Sequence, residues 1–146
     1  MYTIGEVSKM FQLPISTLRY YDQQGLFPMI TRKSGIRIFS DTEIEALRVI
    51  ECLKKSGLEI KDIKSFMQWC IEGAASYQRR LELFQKQKKT VEEEIIQMQK
   101  VLDMLKFKCW YYETALKDGS EKNLKFLPND LMPAEIKKAY FHSHEK

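Results

Sequence analysis

The chain has 146 residues, of which 44% are hydrophobic and 30% charged, and its formal net charge is +4. This composition is typical of a folded globular protein and excludes a disordered chain. No apolar run reaches the ~18 residues that a membrane-spanning helix needs, and the N-terminus lacks a signal-peptide core, so we expect a cytoplasmic protein. The three cysteines include no close pair, which argues against a disulfide framework and favours a reducing compartment.

Positive charge is concentrated at the start of the chain. Residues 1–40 carry five Lys/Arg against two acids, whereas residues 41–73 carry five against seven. An excess of positive charge on one segment is typical of a nucleic-acid-binding module.

Two short amphipathic segments come first. Apolar residues recur at helical spacing from Ile4 to Phe11 and again at Ile15 and Leu18, so both segments are predicted to be helices whose apolar stripes face each other. The turn between them ends in Pro14, which can begin a helix but cannot lie inside one. Two helices joined by a turn of about three residues predict a helix-turn-helix.

The second segment is expected to expose a polar face. If Ile15 and Leu18 point inward, Tyr20 lies near the opposite side of the helix and Arg19 lies at its edge. The other polar residues of this face are Ser16, Thr17, Gln23 and Gln24. Hydroxyl, amide and guanidinium groups bond to phosphates and base edges in the DNA major groove, so this face is a candidate recognition surface.

A short basic hairpin follows. Residues Met29–Arg32 and Ile36–Phe39 are predicted to be strands, with Lys33-Ser34-Gly35 as the turn. Its cations are Arg32, Lys33 and Arg37, on a narrow ribbon suited to clamping the sugar-phosphate backbone. The alternative is a helical hairpin packed on a small sheet, with these charges merely solvated.

Ordered sequence blocks extend this pattern over about the first 70 residues. They are Tyr2-Thr3-Ile4-Gly5-Glu6-Val7, Thr17-Leu18-Arg19-Tyr20-Tyr21-Asp22, Gly25-Leu26, Ser34-Gly35-Ile36-Arg37 and Phe39-Ser40-Asp41. In these blocks the chain closely resembles the MerR family of bacterial transcription regulators. The resemblance implies a winged helix-turn-helix dimer that binds a promoter with an overlong spacer and untwists it to activate transcription, with RNA polymerase as a partner there.

The resemblance also implies roles for individual residues. The implied DNA contacts are Thr3, Ser16, Thr17, Arg19 and Tyr20, together with Arg32, Lys33 and Arg37 of the wing. Three positions depart from the family pattern: Gln12 replaces a usual Gly, Ile36 replaces the commoner wing aromatic, and Pro14 replaces a Ser or Thr cap. The lost cap is expected to weaken the start of the recognition helix by ~1 kcal/mol.

Two further helices are predicted to complete a first domain at residues 1–73. Ser40 and Glu43 have capping-box spacing at the start of a helix that Gly57 closes, and the second helix ends at Gly73. The residues of the first helix that are expected to point inward are Ile44, Leu47, Ile50 and Leu53.

Residues 74–118 contain neither Gly nor Pro, and their apolar residues alternate four and three apart. This seam consists of Tyr77, Leu81, Phe84, Lys88, Val91, Ile95, Met98, Leu102, Leu105, Cys109, Tyr112 and Leu116. Such a helix spans roughly 60 Å and has no globular core of its own to bury the seam, so we predict a coiled-coil homodimer. The family resemblance implies that the two helices run antiparallel. Lys88 is expected to cost stability and to help fix the register.

Residues 119–146 form a tail with a different pattern. Asp118-Gly119-Ser120 breaks the long helix, and Pro133 is predicted to begin a short helix that runs through Tyr140. The tail is expected to pack against the dimer, to be disordered, or to take part in effector recognition.

Cys52 is the first of four candidates for the effector site. It lies on the helix after the wing, with Arg48 one turn before it and Lys54 and Lys55 nearby. Cations favour the thiolate, which attacks aldehydes and other electrophiles. The alternative is a small core residue, as free cysteines usually are. A lone cysteine here, before Lys-Lys-Ser-Gly-Leu and after Ser34-Gly35-Ile36-Arg37, resembles the thiol-based, electrophile-responsive branch of the family.

The remaining candidates are a metal, a lipophilic cation, and a protein partner or no effector at all. No cysteine pair has metal-ligand spacing, so no metal site and no cofactor are predicted. A flat cation would need an aromatic pocket, for which the candidates are Trp69, Phe107, Trp110, Tyr111, Tyr112 and Phe126.

An enzyme is not predicted. The chain lacks a Gly-rich phosphate loop and a nucleophile-base-acid cluster, and its two histidines, His142 and His144, both lie in the tail. The alternative to a DNA-binding regulator is a coiled-coil interaction protein with a small head domain and no DNA specificity.

Overall fold

The computed structural model describes residues 1–145. Its elements are α1 (Ile4–Phe11), α2 (Ile15–Gln23), β1 (Thr31–Lys33), β2 (Ile36–Ile38), α3 (Asp41–Lys55), α4 (Ile60–Glu72), α5 (Tyr77–Asp118) and α6 (Ala134–Ser143), with 3-10 turns at Gly73–Ser76 and Lys122–Leu124. The chain divides within α5 into two compact units: residues 1–88, here called the head unit, and residues 89–146, here called the tail unit. The predicted fold, mainly helical with a small hairpin and one long helix, is confirmed.

Local hydrogen bonds cap the start of the first helix. The hydroxyl of Thr3 accepts from the backbone N–H of Glu6 at 3.2 Å, and the Thr3 N–H donates to the Glu6 carboxylate at 3.0 Å. This reciprocal capping box satisfies two N–H groups that the helix itself leaves free. Gln12 ends the helix in the left-handed conformation with φ 54°, at the position where the resemblance implies a usual Gly.

The second helix begins directly after Pro14, and no side chain caps its first turn, as the sequence predicted. Leu18 is fully buried as expected, but the inward orientation predicted for Ile15 is wrong, because this side chain is 37% exposed. Ile15 lies in the first turn of α2, and Tyr21, one turn after Leu18, supplies the second buried side chain instead.

The hairpin is shorter than predicted. Lys33 pairs with Ile36 in the ladder, so the turn consists of Ser34 and Gly35 alone. Both turn residues have positive φ, 52° and 78°, which is the backbone of a tight two-residue hairpin turn. At its base the hairpin is joined to the N-terminus, since Tyr2 and Phe39 exchange two backbone hydrogen bonds.

The third and fourth helices complete the core of the head unit. Both the N–H and the hydroxyl of Ser40 donate to the carboxylate of Glu43, so the predicted capping contact at the start of α3 is present. Gly57, at φ 94°, follows the end of α3. The predicted inward residues of α3 are all buried, and they join a single cluster of Val7, Leu18, Tyr21, Leu26, Phe27, Phe39, Ile44, Leu47, Ile50, Leu53, Ile63 and Phe66.

The tail unit has a smaller core. Its buried apolar residues are Phe107, Leu124, Met132 and Ala139. The helix break predicted at Gly119 and the short helix predicted after Pro133 are both confirmed. Residues 1–145 include no helix that combines the length and the hydrophobicity needed to cross a lipid bilayer.

Candidate nucleic-acid interface

The polar face of α2 is exposed. Ser16, Arg19 and Tyr20 lie at the surface, with 45% of Tyr20 exposed, while Thr17 is half-buried. The face therefore offers a hydroxyl, a guanidinium and a phenol to a ligand. Such groups donate hydrogen bonds to phosphate oxygens and to the acceptor atoms of bases in the major groove.

Tyr21 fixes the opposite side of the same helix to α3. Its hydroxyl donates to the carboxylate of Glu51 at 2.9 Å and accepts from Lys54 Nζ at 2.5 Å. Burial is the main cause that raises the pKa of Tyr21 above its ordinary value, so the phenol stays neutral. The hydrogen bond to Tyr21 in turn raises the pKa of Lys54. Sequence reasoning placed Tyr21 in a motif but did not identify this connection.

The wing is tied to α2 through an acid that the sequence analysis did not single out. Asp22 Oδ2 lies 2.5 Å from Arg32 Nη2 and 2.6 Å from Arg37 Nε. The Arg32 side chain is 50% exposed, but that of Arg37 is only 19% exposed. Two of the three predicted wing cations are therefore held against α2.

The other predicted contact residues lie at the surface nearby. Lys33 is exposed on the opposite face of the ribbon from Arg32, and Ile36 at the tip is 64% exposed. Thr3 is exposed as well, although its hydroxyl is engaged in the cap of α1. The head unit thus carries an exposed polar helix and a basic two-stranded wing that Asp22 joins, which is the arrangement of a winged helix-turn-helix.

Known proteins share this head and the helix that follows it. Residues 2–69 match the family described as MerR HTH family regulatory protein. An uncharacterized HTH-type transcriptional regulator of Haemophilus influenzae is 36% identical over 130 residues, which cover 87% of this chain and 96% of the relative. The chain belongs to the MerR family. The resemblance inferred from the sequence blocks is therefore confirmed, and the protein is a DNA-binding transcription regulator.

Two further similar proteins are informative. A crystal structure of HiNmlR, a MerR family regulator lacking the sensor domain and bound to promoter DNA, superposes with a TM-score of 0.70 at 36% identity and covers 84% of this chain and 98% of that one. The HTH-type transcriptional regulator AdhR of Bacillus subtilis is 36% identical over 78 residues, which cover 53% of this chain and 56% of AdhR. The family consists of transcription regulators and not of enzymes.

Cys52 is exposed on α3, so its interpretation as a small core residue is wrong. Two of the cations that the sequence placed near it are bound elsewhere: Arg48 pairs with Glu45, and Lys54 bonds to Tyr21. Cys70 and Cys109 are exposed as well. Among residues 1–145, no group of three or more His, Cys, Asp or Glu side chains is arranged to hold a metal ion.

The predicted dimerisation seam of the MerR chain remains largely uncovered. Its exposed apolar members are Tyr77, Leu81, Phe84, Ile95, Met98, Leu102, Leu105, Tyr112 and Leu116, and Val91 is half-buried. Within the head unit, Phe84 also packs edge-on against Phe66, with 5.3 Å between ring centroids. A seam of large apolar side chains that stays exposed in one chain is typical of a surface that a partner covers.

The tail unit contains a groove between α5 and α6. The residues that line it include Leu102, Leu105, Cys109 and Trp110 of α5 and Ile136, Ala139 and His142 of α6. His142 binds the buried carboxylate of Asp103, and this hydrogen bond is the main cause that lowers the pKa of Asp103. The six aromatic residues proposed for a cation pocket do not all take part: Trp110 lines the groove, whereas Phe107 is buried and Phe126 is 86% exposed.

Proposed function

We propose that the protein acts as a homodimer on a pseudo-palindromic promoter with an overlong spacer and switches transcription by distorting the DNA. The supporting observation is the exposed seam of α5, whose heptad spacing continues from Leu81 to Leu105 in a chain that belongs to a DNA-binding family. A two-fold dimer presents two recognition helices to two half-sites of one duplex. RNA polymerase is the partner at that promoter, and the two α5 helices run antiparallel.

The recognition helix reads the base edges in this proposal. Ser16, Arg19 and Tyr20 contact the major groove from the exposed face of α2, and Thr17 lies at its margin. Thr3, Arg32, Lys33 and Arg37 act on the sugar-phosphate backbone or orient the groups that do. Deforming the bound duplex costs several kcal/mol, and the dimer supplies this energy through the extra contacts that the distorted DNA permits.

Cys52 is the proposed sensor of an electrophile. Its exposure on α3 makes the thiol accessible to a small reagent. The similar HiNmlR lacks the sensor domain, which supports a signal that is sensed within the DNA-binding head and the long helix. With an aldehyde, the thiolate forms a C–S bond to the carbonyl carbon, the π electrons move to oxygen, and that oxygen takes a proton from water. No external oxidant or reductant is consumed.

The groove between α5 and α6 supports a second candidate for the effector site. Its lining includes Trp110, Glu113 and Glu135, and an aromatic ring with carboxylates suits a small lipophilic cation or a metal held with help from a partner. Leu102, Leu105 and Cys109 also line it, and the proposed dimer covers these seam residues. We therefore rank the thiol first.

Promoter binding tests the proposed DNA function. The protein is titrated against the dyad-symmetric duplex upstream of its own gene and against a scrambled duplex of equal length, at several KCl concentrations. We expect a clear preference for the first duplex, and we expect Arg19→Ala or Tyr20→Ala to reduce that preference. Lys33→Ala should weaken binding to both duplexes and lower the salt slope by about 1. A wild-type protein that binds both duplexes equally is an interaction protein without DNA specificity.

Promoter activity with and without an added aldehyde tests the sensor. Cys52→Ser should abolish the response while promoter affinity is unchanged, because serine keeps the size of the side chain and removes the nucleophilic sulfur. Cys70→Ser is the matched control, since Cys70 is also exposed in the head unit. A response that Cys52→Ser retains, or that a cationic dye or a metal ion evokes instead, refutes the thiol mechanism.

A further inference from the structure

A single carboxylate oxygen connects α2 with both strands of the wing. Asp22 Oδ2 accepts from Arg32 Nη2 at 2.5 Å and from Arg37 Nε at 2.6 Å. Arg32 and Arg37 are directly opposite each other in the ladder, so their side chains leave the ribbon on the same face. We name these three side chains the wing clamp.

The wing needs such a connection to hold its place. Each of its strands has three residues, and an isolated two-stranded hairpin of this size is marginally stable in water. The base of the hairpin is fixed by the backbone pairing of Tyr2 with Phe39. Between that base and the tip, the wing clamp is the ion-paired link from both strands to α2.

The two arginines of the wing clamp differ in how far their side chains are buried. The Asp22 side chain is only 6% exposed, and the Arg37 side chain is 19% exposed, so this pair is largely withdrawn from water. Arg32 is 50% exposed and has five N–H donors, so it can hold Asp22 with one N–H group and still present others to a phosphate. A largely buried ion pair contributes little net stability, and the better-supported role of such pairs is to fix one conformation.

We propose that Asp22 is a positioning residue for DNA recognition. By holding Arg37 and one edge of Arg32, Asp22 sets the distance and angle between the recognition helix and the wing. Arg37 acts through Asp22 and makes no phosphate contact, whereas Arg32 both joins the clamp and binds the backbone. This assignment rests on the proposed DNA contacts of α2 and the wing, and it narrows the role of Arg37 within them.

The consequence for binding differs from that of a lost DNA contact. Removing the carboxylate charge takes a negative group away from a surface that binds DNA, so non-specific attraction is kept or strengthened. The wing is then free to take several positions relative to α2, and the two elements no longer fit their grooves together. Specificity therefore falls while non-specific affinity does not, a pattern that simple loss of folded protein cannot produce.

The experiment compares four variants of the full chain with the wild type: Asp22→Asn, Arg37→Gln, Arg32→Gln and Glu45→Gln. Each is titrated against the promoter duplex and the scrambled duplex over a range of KCl concentrations. Glu45→Gln is the matched control, because it makes the same charge change and breaks the exposed ion pair with Arg48. Arg37→Gln opens the clamp from the wing side and keeps the test available if Asp22→Asn does not fold.

We expect Asp22→Asn and Arg37→Gln to lower the ratio of promoter to scrambled affinity by about tenfold, the size of one lost base contact. Glu45→Gln should keep the wild-type ratio. Arg32→Gln should lower the salt slope by about 1, and Arg37→Gln should leave the slope unchanged.

Three results overturn the proposal. They are an Asp22→Asn ratio equal to that of Glu45→Gln, an equal loss of affinity for both duplexes in Asp22→Asn, and a salt slope that Arg37→Gln lowers as much as Arg32→Gln does. A wild-type protein without preference for the promoter duplex refutes the proposed function itself, and this outcome is distinct from a wild-type preference that the clamp variants leave intact.

Discussion

The head unit and the tail unit bury their apolar residues to very different extents. Twelve buried apolar residues of the head form one cluster, whereas in the described part of the tail only four are buried. Along α5 in the tail unit, large side chains such as Ile95 and Met98 are 63% and 67% exposed. Burial of apolar area is the main favourable term in folding, so the head satisfies this requirement within one chain and the tail does not.

This difference indicates two kinds of amphipathic helix in one protein. The helices of the head are short, and each places its apolar stripe against the others, as α3 does with Leu47 and Ile50. In the tail unit, α5 carries two stripes. The stripe that includes Phe107 is covered by Tyr140 of the same chain, at 5.0 Å between ring centroids, while the heptad seam stays open. Uncovered heptad seams are the surfaces on which coiled coils form.

Substitution of adjacent isoleucines in the tail unit would test this comparison most strongly. Ile95 lies on the seam, and Ile96, at a similar exposure of 54%, points about 100° away around the helix. Ile95→Asp should weaken the dimer by at least about 100-fold, since each copy would bring a charge into the apolar interface. Ile96→Asp should leave the dimer intact. Sedimentation equilibrium over a micromolar concentration range measures the dimer dissociation constant of each variant. Equal effects of the two substitutions would refute the seam assignment.

Truncation of the head core should have the next largest effect. Leu47 is fully buried, so Leu47→Ala should lower the free energy of unfolding by about 2–5 kcal/mol, through lost burial and the cavity that remains. Val49, on the same helix, is 39% exposed, and Val49→Ala should change stability by no more than about 0.5 kcal/mol. Urea unfolding followed by circular dichroism compares the two variants. Similar losses for both would mean that the head lacks a single tightly packed core.

The smallest expected effect concerns the packing of α6 in the tail unit. The pKa of Asp103 is lowered chiefly by its hydrogen bond with His142, so this contact stabilises the tail above the ordinary Asp pKa and is lost as the pH falls through the lowered pKa. His142→Gln should move the acid transition to higher pH. The fluorescence of Trp110, read in a Trp69→Phe background, reports the groove between α5 and α6. His144→Gln is the control, because His144 bonds to the backbone of Tyr140 instead, and it should leave the transition unchanged.

Local signals in the sequence were sufficient for most of the fold. Ser40 and Glu43 are three residues apart, and Ile44 and Leu47 repeat at the helical period, so the start of α3 and its buried face could be read directly. Pattern also predicted the hairpin and the second helix, and the family resemblance then implied which of their residues contact DNA. The one inward residue assigned wrongly, Ile15, has the correct spacing, and only the position of the head core leaves it exposed.

The side-chain contacts between elements could not be read in this way. The Asp22–Arg37 pair joins residues 15 apart, and the Asp103–His142 pair joins residues 39 apart, so no periodicity connects their members. The hydrogen bond between Tyr21 and Lys54 is of the same kind, because the two residues are 33 apart in the sequence. Each contact depends on how whole helices pack, and packing is decided by the complete chain.

The anchor of Tyr21 has a consequence for how a chemical signal would travel. Glu51 and Lys54, which form hydrogen bonds with the Tyr21 hydroxyl, precede and follow Cys52 in the sequence within one turn of α3. Because Glu51 and Lys54 are three residues apart, both lie on the side of α3 that packs against Tyr21, whereas Cys52 points about 100° or more away from them. Under the proposed mechanism, an adduct on Cys52 would therefore reach the proposed recognition helix only by displacing α3, which carries both hydrogen-bond partners of the Tyr21 hydroxyl.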